Sequence, residues 1–183
     1  GLGMAEYGAP IPATCPVVSG IDHRTGQAYV NQIFLGGTCA PARPRQDCWL
    51  TGLHVGNGGV GFIDSIELTE LYHPLHVASR RIVPDTEGAG RTRGAPVLEV
   101  EFEPLGLPMS IAYVSDGNIN AARGVLGGGD GGVSNQWRRK REGELERLPP
   151  AAQVTVEPGE TVIARCSGGG GYGPPTGRAI EAG

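Results

Sequence analysis

Aromatic and charged residues are both scarce in this chain. Aromatic side chains make up 5% of its 183 residues, and Asp, Glu, Lys and Arg together make up 19%, with a formal net charge of −4. So few rings do not furnish a surface on which RNA bases stack, and the negative balance argues against binding to a phosphate backbone. No apolar run approaches the roughly 18 residues of a membrane-spanning helix, and no basic segment followed by an apolar stretch indicates export. We therefore expect a cytoplasmic protein that binds neither nucleic acid nor membrane.

Closely spaced metal-binding residues are also lacking. The four cysteines are Cys15, Cys39, Cys48 and Cys166. Zinc ribbons, thioredoxin-like sites and c-type haem sites all need a closer pair, so we expect reduced, mostly buried thiols. His73 and His76 are three positions apart, but Pro74 between them breaks the helix that would present both rings to one ion. No metal site is predicted in this chain.

Glycine is the residue present in excess. The 32 glycines and 15 prolines are about 26% of the chain, near the composition of low-complexity sequences. The length nevertheless suits one domain with a core, so we expect residues 1–183 to form a single domain or a fragment, with a Gly/Pro-rich tail over residues 168–183. Because the chain opens on Gly1 and its first residues resemble the middle of a protein, we expect a fragment, a processed product or a subunit.

Strand patterns dominate the sequence. The segments predicted as strands are residues 28–34, 96–103, 108–114, 153–157 and 161–166. Within 96–103, carboxylates alternate with apolar residues, as in a strand that is buried on one face. The turn-type residues 157–160 predict a hairpin between the last two segments. Residues 68–83 predict a short helix that ends at Pro74 and continues extended, so the fold class is mainly β with a few short helices.

Two further features have simple structural explanations. Residues 124–132 and 168–173 each contain the pattern G-x-G-x-x-G, but no helix follows to receive a pyrophosphate, and the only lysine, Lys140, is followed by Arg141 rather than Ser or Thr. These glycines are therefore predicted to allow positive φ angles and close backbone approach. The basic cluster 137–141 is followed at once by three glutamates, which favours a solvated, charge-compensated segment over a nucleic-acid surface.

The candidate catalytic residues lie in a polar, glycine-rich loop. Asp47, His54 and Asn57 occur there, and imidazole is the side chain best suited to proton transfer near neutral pH. No G-x-S-x-G or H-E-x-x-H motif accompanies them. A second candidate pair, Asp85 and Arg93, brackets the segment Gly88–Gly90. A structural role is the alternative there, with Asp85 capping turn amides and Arg93 forming an ordinary ion pair with it.

Several segments together, in order, resemble the C-terminal part of the hydantoinase B/5-oxoprolinase family. They are residues 19–34 (SGIDHRTGQAYVNQIF), 36–44 (GGTCAPARP), the 72–77 segment YHPLHV, residues 84–94 (PDTEGAGRTRG), the 124–132 loop and 168–174 (GGGGYGP). The chain departs from the family pattern at Thr86 and Glu87, where Ser-Gly is usual, and at Ala95 and Pro96. The resemblance marks Gly169, Gly170 and Tyr172 as structural or substrate-near positions.

The resemblance implies an ATP-dependent enzyme assembled from several polypeptides. Members pair with a hydantoinase-A-like subunit that binds ATP and activates a carbonyl oxygen by phosphorylation, and they hydrolyse cyclic amides or carboxylate ketones. The family's N-terminal region, where the resemblance would place metal-ligating histidines and acids, has no counterpart here. We therefore expect ATP with Mg, and a divalent metal, in partner subunits, and a second chain that supplies the N-terminal hydantoinase-B-like region.

Three functions follow from the resemblance. The main expectation is a subunit or fragment of an ATP-dependent hydantoinase/oxoprolinase-type amidohydrolase that is inactive alone. The first alternative is the equivalent subunit of a ketone carboxylase of the acetone or acetophenone type. The second is a non-catalytic β scaffold in such a complex.

Overall fold

A computed structural model describes residues 5–6, 13–37, 39–48 and 63–177. The described residues form nine strands, one α-helix and a short 3-10 turn. In chain order these are β1 (Val17–Ile21), β2 (Ala28–Gln32), α1 (Ile66–Tyr72), β3 (Leu75–Ile82), β4 (Leu98–Pro104), β5 (Met109–Val114), β6 (Asn135–Arg139), β7 (Leu145–Arg147), β8 (Ala151–Val156), β9 (Thr161–Arg165) and the turn Pro175–Gly177. The mainly β fold class is therefore confirmed.

The strands form two antiparallel sheets that share one core. The first sheet has the order β2-β1-β5-β8, and the second has the order β3-β4-β9-β6-β7. Alternate residues of both sheets point to a single hydrophobic cluster, in which Ile111 of β5 and Phe102 of β4 are both fully buried. Burying a large apolar side chain contributes ~1.5–3 kcal/mol, so this cluster is what holds the two sheets together.

Strand β4 has the two faces that its sequence predicts. Leu98, Val100 and Phe102 are buried, and Val100 and Phe102 belong to the core shared by the two sheets. Glu99 points to the outer face, where its carboxylate lies between the guanidinium groups of Arg81 and Arg165. Only 2% of the Glu99 side chain is exposed, so the outer face of this strand is covered by ion pairs.

The helix–strand switch at Pro74 is confirmed. Ser65 caps helix α1 by accepting a hydrogen bond from the Leu68 N–H, and the helix ends at Tyr72. Strand β3 begins at Leu75 and pairs with β4. Proline has no N–H to donate and disfavours helical geometry at the residue before it, which places the change of structure here.

The predicted hairpin at residues 157–160 is wrong. The turn itself is present, since the Glu160 N–H donates to the Glu157 carbonyl over 2.9 Å and Gly159 has a φ of 86°. However, β8 pairs with β5 in the first sheet, whereas β9 pairs with β4 and β6 in the second. The turn therefore carries the chain across the core from one sheet to the other, because turn residues specify a reversal and not a pairing partner.

The other short-range predictions are confirmed. Residues 137–141 enter the β6–β7 hairpin, where Arg138 pairs with Glu146 over 2.6 Å and Lys140 pairs with Glu144 over 3.0 Å. The basic cluster is therefore compensated locally, as expected. Cys15, Cys39 and Cys166 are buried, and Cys48 is half-buried.

Three glycine-rich segments form a separate layer that we call the glycine bundle. It comprises residues 86–95, 122–132 and 168–173, and segment 168–173 lies between the other two. The N–H groups of Gly168 and Gly171 donate to segment 122–132, and those of Gly169 and Tyr172 donate to segment 86–95. This repeat of three is that of a polyproline-II-type strand, which makes no internal hydrogen bonds and so offers all its amides to neighbours.

Lack of space explains most of the glycines in this bundle. A Cβ on Gly169 would overlap the carbonyl group of Ala40, and one on Gly171 would overlap that of Ala89. Positive φ angles occur at only two bundle glycines, Gly127 and Gly173. The prediction of close backbone approach is therefore confirmed for the bundle, whereas positive φ explains few of its positions.

Candidate functional site

A cavity of about 270 Å³ lies where the loop between β3 and β4 meets the segment that precedes residue 49. Its lining residues are Asp47, Cys48, Ile82, Pro84, Asp85, Glu87, Arg93, Gly94 and Pro96. Three residues singled out from the sequence, Asp47, Asp85 and Arg93, thus share one cavity. The fold brings them together because the bundle segment 86–95 returns the chain toward residue 47.

Arg93 is held in place by two carboxylates. Its backbone N–H donates to Asp47 Oδ1 over 2.7 Å, and its Nε lies 3.8 Å from Asp47 Oδ2. Its Nη1 donates to Glu87 Oε1 over 3.3 Å. The Cys48 N–H donates to the Arg93 carbonyl over 2.8 Å, which fastens the two loops to each other. Among the described residues, Arg93 therefore pairs with Asp47 and Glu87, not with Asp85.

Asp85 presents its carboxylate to the cavity from an unusual backbone conformation. Its φ is 58°, in the left-handed region that few residues other than glycine adopt. The structural role considered for Asp85 is filled by its neighbour, since Thr86 Oγ1 donates to the Val83 carbonyl and accepts from the Val97 N–H. Within the described part of the chain, the Asp85 side chain makes no hydrogen bond or ion pair. Residues other than glycine that are held in the left-handed conformation are concentrated at functional sites.

The glycine bundle forms one wall of the cavity. Gly94 lines it, and a Cβ at that position would overlap Gly169. Gly169 thus lies directly behind the wall, while Gly170 accepts a hydrogen bond from the Ala42 N–H over 2.8 Å. Tyr172 stacks against the Arg91 guanidinium, 5.7 Å from the ring centroid, and lies outside the cavity lining.

The remaining predicted residues, His54 and Asn57, lie outside the described residues, so their roles stay predictions. Two other polar residues of the cavity, Cys48 and Glu87, were not predicted as site residues. Glu87 is a departure from the family pattern, and its position six residues before Arg93 could have indicated an ion pair between them. Cys48 was predicted only as a buried thiol.

The described residues do not fit a metal ion. They contain no group of three or more His, Cys, Asp or Glu side chains placed to hold one. His76 Nδ1 lies 2.9 Å from Glu70 Oε1, and His73 Nε2 lies 3.2 Å from Asn31 Nδ2. Burial lowers the pKa of His73. The described helix is also too short to cross a membrane.

The domain thus combines two sheets with a buried glycine layer, and an acidic cavity lies where the two meet. The chain belongs to the hydantoinase B/oxoprolinase family, whose pattern it matches over residues 8–175.

Two curated relatives are much longer than this chain. It is 30% identical over 119 residues to caprolactamase subunit beta of Pseudomonas jessenii, a match that covers 63% of this chain and 20% of the relative. It is 26% identical over 126 residues to an uncharacterized protein of Schizosaccharomyces pombe, covering 63% of this chain and 9% of that protein.

Two solved structures share the fold. The ATP-dependent caprolactamase of Pseudomonas jessenii superimposes with a TM-score of 0.77 at 24% identity, over 97% of this chain and 31% of that chain. Nucleotide-free acetone carboxylase superimposes with a TM-score of 0.74 at 16% identity, over 94% of this chain and 27% of that chain. The fold of this chain therefore recurs inside chains about three times as long.

Proposed function

We propose that this chain supplies one wall of the active site in an ATP-dependent, multi-subunit enzyme that hydrolyses cyclic amides. The observation that carries the proposal is the cavity in which Asp47, Glu87 and Arg93 form a fixed cluster beside Asp85, whose carboxylate has no partner among the described residues. Family membership and the similarity to caprolactamase subunit beta support this reaction class. The partners we propose are a hydantoinase-A-like ATP-binding subunit and a chain with the N-terminal hydantoinase-B-like region.

The cofactors in this proposal belong to the partners. ATP with Mg, bound by the partner, would supply activation of the amide oxygen by phosphorylation, and a divalent metal would also lie outside this chain. The described residues of this chain then have two tasks. Arg93 offers hydrogen-bond donors from a position fixed by two carboxylates, and Asp85 accepts a proton from a ring amide or from water.

The candidate residues in the polar loop complete the proposal. His54 would transfer protons during ring opening, since an imidazole changes charge near neutral pH. Asn57 would orient the substrate. Asp47 acts through Arg93 and is a positioning residue.

The test is turnover by the assembled complex with Asp85→Asn or His54→Ala in this chain. We expect ATP-dependent lactam hydrolysis to fall about 100-fold in either variant, the usual scale for losing a general acid or base. Glu142→Gln is the matched control for Asp85→Asn, because Glu142 is also an exposed carboxylate but does not line the cavity. Assembly, followed by native mass spectrometry, should be unchanged in all three. Wild-type turnover by both variants would refute the catalytic role of the cavity.

A ketone carboxylase is the second candidate, favoured by the similarity of the fold to acetone carboxylase. ATP turnover that depends on bicarbonate and a ketone, and not on a lactam, would identify it. The scaffold alternative is disfavoured by the polar residues that face the cavity. It would be supported if the Asp85 and His54 variants were fully active and turnover were lost only in variants of this chain that no longer join the complex.

A further inference from the structure

In the described strands of the first sheet, no charged residue lies on the outer face. Antiparallel register places directly opposite residues on the same face, and alternation with the buried Val18, Ile111 and Val156 identifies the outward set. This set, which we call the neutral face, is Val17, Ser19, Ile21, Ala28, Val30, Gln32, Ser110, Ala112, Val114, Ala151, Gln153 and Thr155. All of them are neutral, and most are small or apolar.

The second sheet shows what this chain places on a face that meets water. There Glu99 pairs with Arg81 and Arg165, and Glu101 pairs with Arg139 over 3.1 Å. An antiparallel sheet that is packed on one side usually carries polar or charged residues on the other. The neutral face departs from that rule within the same molecule, so overall composition does not account for it.

The neutral face is open in the described structure. Val30 is 73% exposed and Val114 is 64% exposed. A groove of about 570 Å³ lies at one end of the face, where Val17, Val114 and Ala151 line it together with residues just outside the face, among them Asp116. Depletion of charged residues is the compositional mark of the buried centre of a protein–protein interface.

We propose that the neutral face is the docking surface for another part of the hydantoinase-B-like architecture, through an uncharged, apolar surface of that part. Charge complementarity selects the partner's chemistry, because a face without charges offers no ion pairs to an acidic or basic partner. Size points to a large partner, since this fold spans 31% of the caprolactamase chain and the sequence match covers 20% of caprolactamase subunit beta.

The dimensions of the face agree with a partner that extends past it. Four strands of five or six residues give a sheet face of roughly 19 by 18 Å, which is about 340 Å². In a standard interface each partner buries about 800 Å², so the face alone is too small to be the whole interface.

The test uses the full chain, affinity-tagged and purified with its bound polypeptides, which are identified by mass spectrometry. The variants are Val17→Glu and Val114→Glu on the neutral face, with Leu145→Glu on the ion-paired face as the matched control. All three residues are exposed by more than a third, so each variant should keep the thermal midpoint of the wild-type chain. We expect both neutral-face variants to retain at least tenfold less of a hydantoinase-B-like polypeptide, and Leu145→Glu to retain as much as wild type. Hydroxyl-radical footprinting of the wild-type complex should show protection of Val17 and Val114.

Three results would overturn the inference. They are a complex that survives the neutral-face substitutions, a chain that binds no hydantoinase-B-like polypeptide, and a homodimer of this chain that the same substitutions dissociate. The inference rests on the proposed multi-subunit function, but its readouts are assembly and protection, not turnover. A complex that docks on the neutral face and hydrolyses no lactam would therefore refute the proposed function and leave the docking surface standing.

Discussion

The two packed sheets, which we call the sandwich, and the glycine bundle are held together in opposite ways. In the sandwich, two sheets stay about 10 Å apart and side chains such as Phe102 and Ile111 fill the space between them. In the bundle, backbone touches backbone, and Gly169 has no room for even one added carbon. The sandwich therefore depends on the volume and shape of its side chains, whereas the bundle depends on their absence.

This difference shows that a glycine run can specify structure as tightly as a hydrophobic core. Glycine loses more conformational entropy on folding than any other residue, so the bundle needs a compensating gain. That gain comes from backbone hydrogen bonds in several directions, since every amide from Gly168 to Gly173 donates to another segment. The glycine-rich composition, which is typical of disordered chains, here forms an ordered set of segments joined by backbone hydrogen bonds.

The largest effect should come from the sandwich. Phe102→Ala removes a fully buried ring at the centre of the core, and we expect a loss of ~3–5 kcal/mol in the free energy of unfolding. Urea unfolding followed by circular dichroism measures it. A loss below about 1 kcal/mol would mean that the two sheets do not share one packed core.

Adding one carbon to the bundle should cost nearly as much. Gly169→Ala would push a methyl group into the Ala40 carbonyl, and relief requires movement of backbone, so we expect a loss of ~3 kcal/mol, the upper end of the overpacking range. Urea unfolding and amide hydrogen exchange of residues 168–173 check this. Wild-type stability would contradict the description of the bundle as space-limited.

Part of the pH dependence of stability should come from the buried thiol of Cys15, just before β1. Burial raises the pKa of the Cys15 thiol to about 11, above the value of 9 in an unfolded chain. The unfolded chain therefore releases this proton first, so stability is complete below pH 9 and falls by about 2–3 kcal/mol as the pH rises to 11. The Cys15→Ala variant should lack this part of the alkaline loss, measured by urea unfolding at pH 8, 9.5 and 11. Equal pH slopes in the two proteins would contradict the assignment.

The smallest effect should again come from the bundle, at a position with space. A Cβ on Gly129 would lie 3.5 Å from the nearest atoms of Ala89, an ordinary contact, and Gly129 does not have a positive φ. The free energy of unfolding of Gly129→Ala should therefore stay within about 0.5 kcal/mol of wild type. The added methyl group displaces no neighbouring atom, and it makes the unfolded chain less flexible. A loss as large as that of Gly169→Ala would show that the bundle resists any side chain, wherever it points.

Local patterns predicted the helix and most of the strands of this fold, but not β1, β6 or β7. Alternation in β4 and the break at Pro74 are properties of neighbouring residues, and both can be read from the sequence. The partner of β9 cannot, because Glu157–Glu160 has the same turn chemistry whether the next strand joins its own sheet or the opposite one. Two segments of the bundle, residues 124–132 and 168–173, could be recognised as glycine-rich, but their contact with residues 86–95 depends on pairs such as Gly88 and Gly169 that lie far apart in the chain.

The candidate site was predicted in part for the same reason. Asp47, Asp85 and Arg93 were selected from separate segments, and the structure brings them to one cavity. Their pairing was not predictable, since Asp85 and Glu87 are both near Arg93 in sequence and only the backbone decides which carboxylate reaches it. Glu87 reaches Arg93 over 3.3 Å, whereas Asp85 has a left-handed backbone and makes no ion pair with Arg93.

The central position of segment 168–173 also has a kinetic consequence. Its neighbours, residues 86–95 and 122–132, both precede it in the chain, so a ribosome delivers the innermost strand after the segments that surround it. The bundle cannot close until that strand arrives, and each contact then joins residues of high sequence separation, a topology that slows folding. During synthesis the amides that finally bind it stay open to solvent or to chaperones, which makes this interval the time when the chain is most exposed to misfolding.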